Sequence, residues 1–127
     1  MADSDRKTLF TLLATNPSTA ALKTGKVRSP LVDFNFADVK VSNTEFKPLV
    51  REHRYDLAEL AIVTYLQAYE KGLSYVLLPA TVVGRNQHHT IFYNAERGAL
   101  EDLIVKRVGV RAYTQTTGAW ADRKSVV

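Results

Sequence analysis

The chain contains no cysteine. Disulfides, thiolate metal sites and a cysteine nucleophile are therefore excluded. It also contains no run of about 18 apolar residues, so the sequence predicts no membrane-spanning segment and no membrane partner. The N-terminus, Met-Ala-Asp-Ser-Asp-Arg-Lys, is charged and lacks the apolar core of a secretory signal.

The sequence motifs of several common enzyme classes are missing as well. There is no Walker loop, no Gly-x-Gly-x-x-Gly, no Gly-x-Ser-x-Gly and no His-Glu-x-x-His. The net charge is +4, but the basic residues are scattered rather than clustered. We therefore expect a weak preference for anionic ligands and no nucleic-acid partner. The length of 127 residues is typical of one globular domain.

The first half of the chain begins with two predicted strands. Thr8–Ala14 is almost entirely apolar, which predicts a central strand covered on both faces. The turn residues Asn-Pro-Ser-Thr end it at 16–19, and we interpret them as a plain turn, with an anion-binding loop as the alternative. Leu31–Phe36 alternates apolar and polar residues, which predicts a half-buried strand.

A helix is predicted to begin after a capping-box pattern formed by Ser42 and Glu45. Its apolar face ends at His53, which we interpret as a packing or surface histidine. Tyr55–Ala61 predicts a short strand. Glu59 within it is expected to face water from the strand end, although a buried carboxylate with a partner is the alternative.

The next helix is predicted over Ile62–Lys71 and ends at Gly72. Its first turn carries Thr64 and Tyr65, close to the carboxyl end of the preceding predicted strand. The apolar face of this helix consists of Ile62, Leu66 and Tyr69.

The strongest signal for a binding site is a loop between two predicted strands. Tyr75–Pro79 is an apolar run typical of a strand inside a parallel sheet, and Thr90–Tyr93 predicts a second strand. The connection between them holds Arg85, His88 and His89. Because ligands of open α/β sheets bind outside the carboxyl ends of strands, we expect a site here. The alternative is an ordinary solvated loop.

The C-terminal part predicts a short helix over Leu100–Val105 and a strand over Arg107–Val110. A hydroxyl-rich loop with Tyr113 and Thr116 follows, and a helix begins near Ala119-Trp120. A strand, such a loop and a helix N-terminus often form an anion site, because the first N–H groups of a helix lack partners. The predicted fold class is α/β, with a mostly parallel sheet flanked by helices.

Four segments of the chain form a recognisable series. They are Arg54–Ala61 with Thr64-Tyr65-Leu66, Leu78-Pro79 with Arg85, His89–Tyr93, and Arg107–Val110 with Tyr113, Thr116 and Trp120. In this order and spacing they resemble the N-terminal portion of the 4,5-dihydroxyphthalate decarboxylase-like proteins. These are cytoplasmic relatives of the type 2 periplasmic binding proteins. The likeness spans about residues 8 to 121.

The resemblance implies a cytoplasmic, two-lobed α/β protein with a ligand cleft between the lobes. Residues 1–105 would form the first lobe and residues 106–127 the start of a second. The implied ligand is a small aromatic carboxylate, and the implied reaction is decarboxylation of 4,5-dihydroxyphthalate, with the cofactor left open. The ligand-binding positions are Thr64, Tyr65, Arg85, His88, His89, Tyr113 and Thr116.

The resemblance also suggests a role for each of these side chains. Arg85 would hold a carboxylate as a planar, permanently charged fork, and His89 or its neighbour His88 would deliver a proton to the ring. The family tends to have an arginine at the His88 position, so a histidine there would weaken binding of a dicarboxylate. Tyr113 and Thr116 would hydrogen-bond the ring hydroxyls. Adjacent histidines point apart in an extended strand, so we expect no metal site.

The likeness stops after Ala121, where the family continues into a long second lobe. We therefore expect an incomplete chain with negligible activity by itself. Self-association through residues 106–127 is also expected, because the strand predicted there would lack the sheet to which it belongs. The alternative function is that of a non-catalytic binding protein for a small aromatic or heterocyclic anion.

Overall fold

The sheet lies in the first half of the chain. The computed structural model describes residues 6–84, 86–99 and 107–124. Its strands are β1 Lys7–Leu12, β2 Val32–Phe36 and β3 Leu57–Ala58. They form one parallel sheet of order β2–β1–β3. The predicted α/β class, the parallel sheet flanked by helices and the central position of the first strand are therefore confirmed.

The helices of the described residues follow the sequence pattern in most places. They are α1 Ala20–Lys23, α2 Phe46–Glu52, α3 Ile62–Glu70 and α4 Thr116–Lys124, with 3₁₀ turns at Ser42–Glu45, His88–Thr90 and Ala95–Arg97. The end of α3 before Gly72 is confirmed, since that glycine has a φ of 87°. Among these helices, none is long and apolar enough to cross a bilayer.

Contacts divide the chain into two compact units. Unit 1 consists of Met1–Leu60 and Ala68–Val83, and unit 2 of Ala61–Gln67 and Gly84–Val127. The sheet, α1 and α2 belong to unit 1, whereas α4 belongs to unit 2. The lobe boundary predicted after residue 105 stays a prediction, because residues 100–106, including the helix predicted over Leu100–Val105, lie outside the described residues.

The core of unit 1 is built on the central strand. Leu12, Leu49 and Tyr55 are 1%, 2% and 4% exposed and form one apolar cluster. The ring of Phe10 stacks on that of Tyr55 with centroids 5.0 Å apart. Apolar side chains of β1 therefore meet α2 and the segment before β3, which is the burial that the apolar run at the start of the chain predicts.

Two tyrosine hydroxyl groups form hydrogen bonds at the edge of this core. The hydroxyl of Tyr55 donates to Glu45 Oε2 at 2.8 Å, and that of Tyr75 donates to the Tyr55 carbonyl at 2.7 Å. The ring of His53, which ends α2 in the left-handed conformation at φ 51°, stacks on Tyr75 with centroids 5.3 Å apart. The interpretation of His53 as a packing or surface histidine is confirmed, since the residue is exposed and its ring stacks on Tyr75. Burial raises the pKa of both tyrosines, and the Glu45 carboxylate raises the pKa of Tyr55 further.

We expect the free energy of unfolding to fall as the pH rises above about 10, the pKa of an unfolded tyrosine. The raised pKa values of Tyr55 and Tyr75 mean that their stabilising contribution is complete below that pH. It is lost as the pH passes through the folded-state pKa, because the unfolded chain ionises first. Tyr55→Phe should flatten this decline, whereas Tyr93→Phe, at a tyrosine that is 49% exposed, should not. Urea unfolding from about pH 8 to about pH 11 tests this, and equal slopes for the two variants would contradict it.

Three predicted strands are wrong. Tyr75–Pro79, Thr90–Tyr93 and Arg107–Val110 have no strand structure. Val76, in the first of them, is 83% exposed, and Phe92, in the second, is 88% exposed. A strand needs a partner along its length, and the edge strand β3 is only two residues long.

Individual side chains explain two of these corrections further. Pro79 has no N–H to donate to a ladder, and Tyr75 is held by its hydroxyl and ring rather than by backbone pairing. Val108 is 63% exposed, and the segment Arg107–Val110 has no strand structure. The self-association expected of residues 106–127 stays a prediction, but the strand from which it was argued does not form.

The predicted apolar face of α3 is also wrong, since Leu66 is 55% exposed and Ala68 is buried.

Candidate functional site

The first turns of α3 contact the loop that leads into α4, and all of these residues belong to unit 2. Thr64 Oγ1 donates to the carbonyl of Thr114 at 2.7 Å. One turn later, Gln67 Nε2 donates to the carbonyl of Tyr113 at 3.2 Å. Two of the segments chosen from the sequence, at 64–65 and at 113–116, are therefore neighbours.

The loop that carries His88 and His89 contacts α4. The carbonyl of Gln87 accepts from Thr90 N at 3.0 Å and from Thr90 Oγ1 at 2.5 Å, which closes the 3₁₀ turn that carries both histidines. The side chain of Gln87 accepts from Thr117 Oγ1 at 2.6 Å. The ring of His88 meets Trp120 edge-on with centroids 4.9 Å apart. The two histidines thus lie on a turn, within the connection in which the sequence places them.

Gly118 allows the segment that precedes α4 to lie close to this helix. A Cβ atom on Gly118 would lie 2.5 Å from the carbonyl oxygen of Ala112 and 2.9 Å from a methyl group of Val110. Only glycine tolerates such a close backbone contact inside a helix. The sequence places this glycine in the loop, whereas the structure places it in α4, which begins at Thr116.

The predicted site residues differ in exposure. Thr64, Tyr65 and Thr116 are half-buried. His88, His89 and Tyr113 are exposed. The described part of the chain shows no side-chain hydrogen bond from His89 or Thr116 to another predicted site residue. Arg85 lies outside the described residues.

Unit 1 has its own polar cluster at the carboxyl end of the sheet. Glu59 directly follows β3, and its N–H donates to the carbonyl of Leu12 at 2.9 Å. Its Oε1 accepts from Ala14 N at 3.2 Å and from the hydroxyl of Ser42. Its Oε2 is buried, and no hydrogen-bond partner for it exists among the described residues. The expectation that Glu59 faces water is therefore wrong.

Ser42 does not make the capping hydrogen bond that the sequence predicts, because its hydroxyl is bound to Glu59. The capping-box pattern predicts that its hydroxyl accepts from a backbone N–H of the helix, but no side-chain cap is made and the hydroxyl donates to Glu59 instead. A carboxylate is the stronger acceptor, and Ser42 is only 8% exposed, so its hydroxyl needs a partner inside the protein.

The loop after β1 satisfies its own N–H groups. Asn16 Oδ1 accepts from the N–H groups of Ser18 and Thr19 at 2.9 and 3.1 Å, and Thr19 Oγ1 donates to the carbonyl of Ala14 at 2.6 Å. The interpretation of 16–19 as a plain turn is confirmed, since these groups are not available to an anion. Asn16 Nδ2 is buried without a hydrogen-bond partner in the described chain.

Two further observations bear on function. Over residues 6–84, 86–99 and 107–124 no three side chains of metal-ligating type converge on one point. The likeness to 4,5-dihydroxyphthalate decarboxylase-like proteins stays a prediction drawn from the sequence. Comparison of the chain with protein-family models, with curated proteins and with solved structures finds no match.

Proposed function

We propose that the chain is a 4,5-dihydroxyphthalate decarboxylase-like protein that binds a small aromatic carboxylate through unit 2. The proposal is supported by one observation, the grouping of three separate segments within that unit. Thr64 is bonded to the loop before α4, and Gln87, next to the histidines, is bonded to Thr117 in α4. Hydroxyl groups and imidazoles thereby lie on neighbouring elements. A protein that recognises a hydroxylated aromatic acid needs such polar groups near one another, so that they can hydrogen-bond the ligand.

The proposed chemistry assigns one task to each type of side chain. Arg85, by the resemblance, binds the carboxylate that stays on the ring. When carbon dioxide leaves, the broken C–C bond leaves its electron pair on the ring carbon, which the hydroxyl group para to it makes electron-rich. The imidazolium of His89 then supplies the proton that takes the place of the lost carboxylate. The product is the corresponding dihydroxybenzoate.

A second candidate function is binding without turnover. His88, His89 and Tyr113 are all exposed. Catalysis of this kind gains most of its rate from a closed site that positions the substrate and excludes water. An open set of side chains therefore fits a binding protein for a small aromatic or heterocyclic anion better than an efficient enzyme.

One pair of measurements separates these functions. Calorimetry with phthalate measures binding, and release of carbon dioxide from 4,5-dihydroxyphthalate measures turnover. We expect phthalate to bind with little or no release of carbon dioxide. Turnover near a typical enzyme rate of roughly 10 per second would establish the lyase. Absence of both binding and release would contradict both functions.

Thr64→Val should weaken the binding of phthalate about fivefold, because it removes the hydrogen bond that holds the loop before α4 in place, and ordering this loop on binding would then cost about 1 kcal/mol. The substitution removes the hydroxyl that donates to Thr114 and keeps the shape of the side chain. Thr64→Ser is the matched control, since it keeps the hydroxyl and should bind like the wild type. Calorimetry on the three proteins checks this result. Equal affinities for the valine and serine variants would remove this contact from the ligand site.

A further inference from the structure

Unit 1 contains a pocket that none of the site residues discussed so far lines. Its volume is about 230 Å³, and it lies between β2 and the segment made of α1 and the residues that follow it. This volume is slightly below the range of ~300–1,000 Å³ that is usual for small-molecule pockets. The pocket is therefore suited to a ligand with few atoms.

One wall of the pocket is aromatic. Phe34 and Phe36 lie on the same face of β2, and their rings stack with centroids 5.8 Å apart. Both rings line the pocket and both are only half-buried. Leu22, Val27 and Val32 add aliphatic surface. A flat apolar group would cover these side chains and remove more of their surface from water.

The pocket is also lined by two cationic side chains, those of Lys23 and Arg28. Lys23 Nζ lies 5.5 Å from the centre of the Phe36 ring and donates to the carbonyl of Leu13 at 2.8 Å. Arg28 Nε donates to the carbonyl of Gly25 at 3.1 Å, which leaves the terminal nitrogens of its guanidinium for a ligand. Neither cation forms an ion pair with any described residue.

The one carboxylate of the pocket does not neutralise these cations. Asp33 lines the pocket, but it is paired with Arg6 at 3.2 Å. The backbone also brings Arg28 into place, because Gly25 adopts a φ of 72° and a Cβ there would lie 3.3 Å from the Arg28 guanidinium. Two cations that form no ion pair with a described residue therefore lie beside an aromatic wall, and the carboxylate that lines the same pocket is paired with Arg6.

We propose that this pocket binds a phosphate monoester of a small flat apolar group. A phosphate monoester carries nearly two negative charges at neutral pH, which matches the two cations, and its oxygens suit the guanidinium fork. The apolar group lies against Phe34 and Phe36. This site shares no residue with the one proposed in unit 2 and does not depend on it.

The test is calorimetry with three probes: phenyl phosphate, phenol and inorganic phosphate. We expect phenyl phosphate to bind at least about tenfold more tightly than either of the others, since each of those lacks one half of the recognised chemistry. The double variant Lys23→Gln with Arg28→Gln should lose at least about tenfold in affinity, which is the loss of one charge-assisted contact or more. The double variant Lys47→Gln with Arg51→Gln is the matched control, because it removes the same net charge at two exposed positions.

The outcomes decide the proposal in either direction. Equal losses in the two double variants, or equal binding of inorganic phosphate and phenyl phosphate, would mean attraction by net charge alone and would overturn it. Failure of the wild type to bind phenyl phosphate at millimolar concentration would also overturn it. If Lys23→Gln impairs folding, NMR shifts of the wild type decide: shifts at Phe34 and Phe36 support the site, and shifts confined to other residues contradict it. Unchanged binding of phthalate to the Lys23→Gln, Arg28→Gln protein would show that the unit 2 site is independent.

Discussion

Leu12→Ala is expected to lower the free energy of unfolding by about 2–5 kcal/mol, the usual cost of emptying a well-packed leucine site. Leu12 is 1% exposed, and it lies on the central strand β1 between both neighbouring strands. It packs in one cluster with Leu49 and Tyr55. Those neighbours belong to α2 and to the segment before β3, so they cannot all move into the space that the lost methyl groups leave.

The small size of this core makes the loss severe. The buried apolar residues in the described chain are Leu12, Leu49, Tyr55, Ala68 and Leu73. Domains of this size are stable by only about 5–15 kcal/mol in total, so one such cavity removes a large share. Leu31→Ala is the control. Leu31 is 76% exposed just before β2, and its loss should change stability by less than about 0.5 kcal/mol.

Urea unfolding of the three proteins measures this difference directly. Similar losses in Leu12→Ala and Leu31→Ala would mean that the sheet does not contain the core. A change in the slope with urea, rather than in the midpoint, would indicate that the variant exposes a different amount of surface on unfolding.

The sheet could be predicted where local pattern and tertiary role agree. The apolar run Thr8–Ala14, which overlaps β1, predicts burial on both faces, and the last residues of β1, Thr11 and Leu12, are fully buried. The alternation at Val32–Phe36 predicts half-burial, and the structure shows half-buried and exposed residues in alternation. In both segments the pattern of apolar side chains fits one placement of the strand in the sheet.

The wrong strands share a different property. Tyr75–Pro79 and Arg107–Val110 are short apolar or alternating runs without a pattern long enough to fix their partner. Strand formation depends on a neighbour with free backbone groups, and that neighbour lies elsewhere in the sequence. The apolar residues Val76 and Val108 are 83% and 63% exposed, which hydrophobicity alone could not predict.

The candidate site residues stay a prediction, but part of their grouping could be predicted. Two of the segments that carry them meet within unit 2, where Thr64 donates to the Thr114 carbonyl. The bond from Thr117 to Gln87 and the close contact at Gly118 could not be predicted, because they depend on the approach of two backbones. Glu59 is a carboxylate within a predicted strand that is mostly apolar. Its burial could not be inferred, since a residue at a strand end can face either way.

Glu59→Ala is expected to lower the free energy of unfolding by on the order of 2–4 kcal/mol, because the change leaves two polar groups without a partner. These are the N–H of Ala14 and the hydroxyl of Ser42, which now bind Glu59 Oε1. Glu59→Gln keeps an acceptor oxygen and should cost only about 1 kcal/mol. Glu70→Ala, which removes an exposed carboxylate in α3, is the control and should have almost no effect.

A double-mutant cycle with Ser42→Ala tests how Glu59 is held. If the hydroxyl of Ser42 is the main partner, the two substitutions should be coupled by about 0.5–3 kcal/mol, so that the double variant loses less than the sum of the single ones. Additive losses would mean that Glu59 does not depend on Ser42, and the described contact would then be contradicted. Coupling would mean that Oε1 is occupied within the protein, so that only the buried Oε2 is left to accept a hydrogen bond from a water molecule or a ligand.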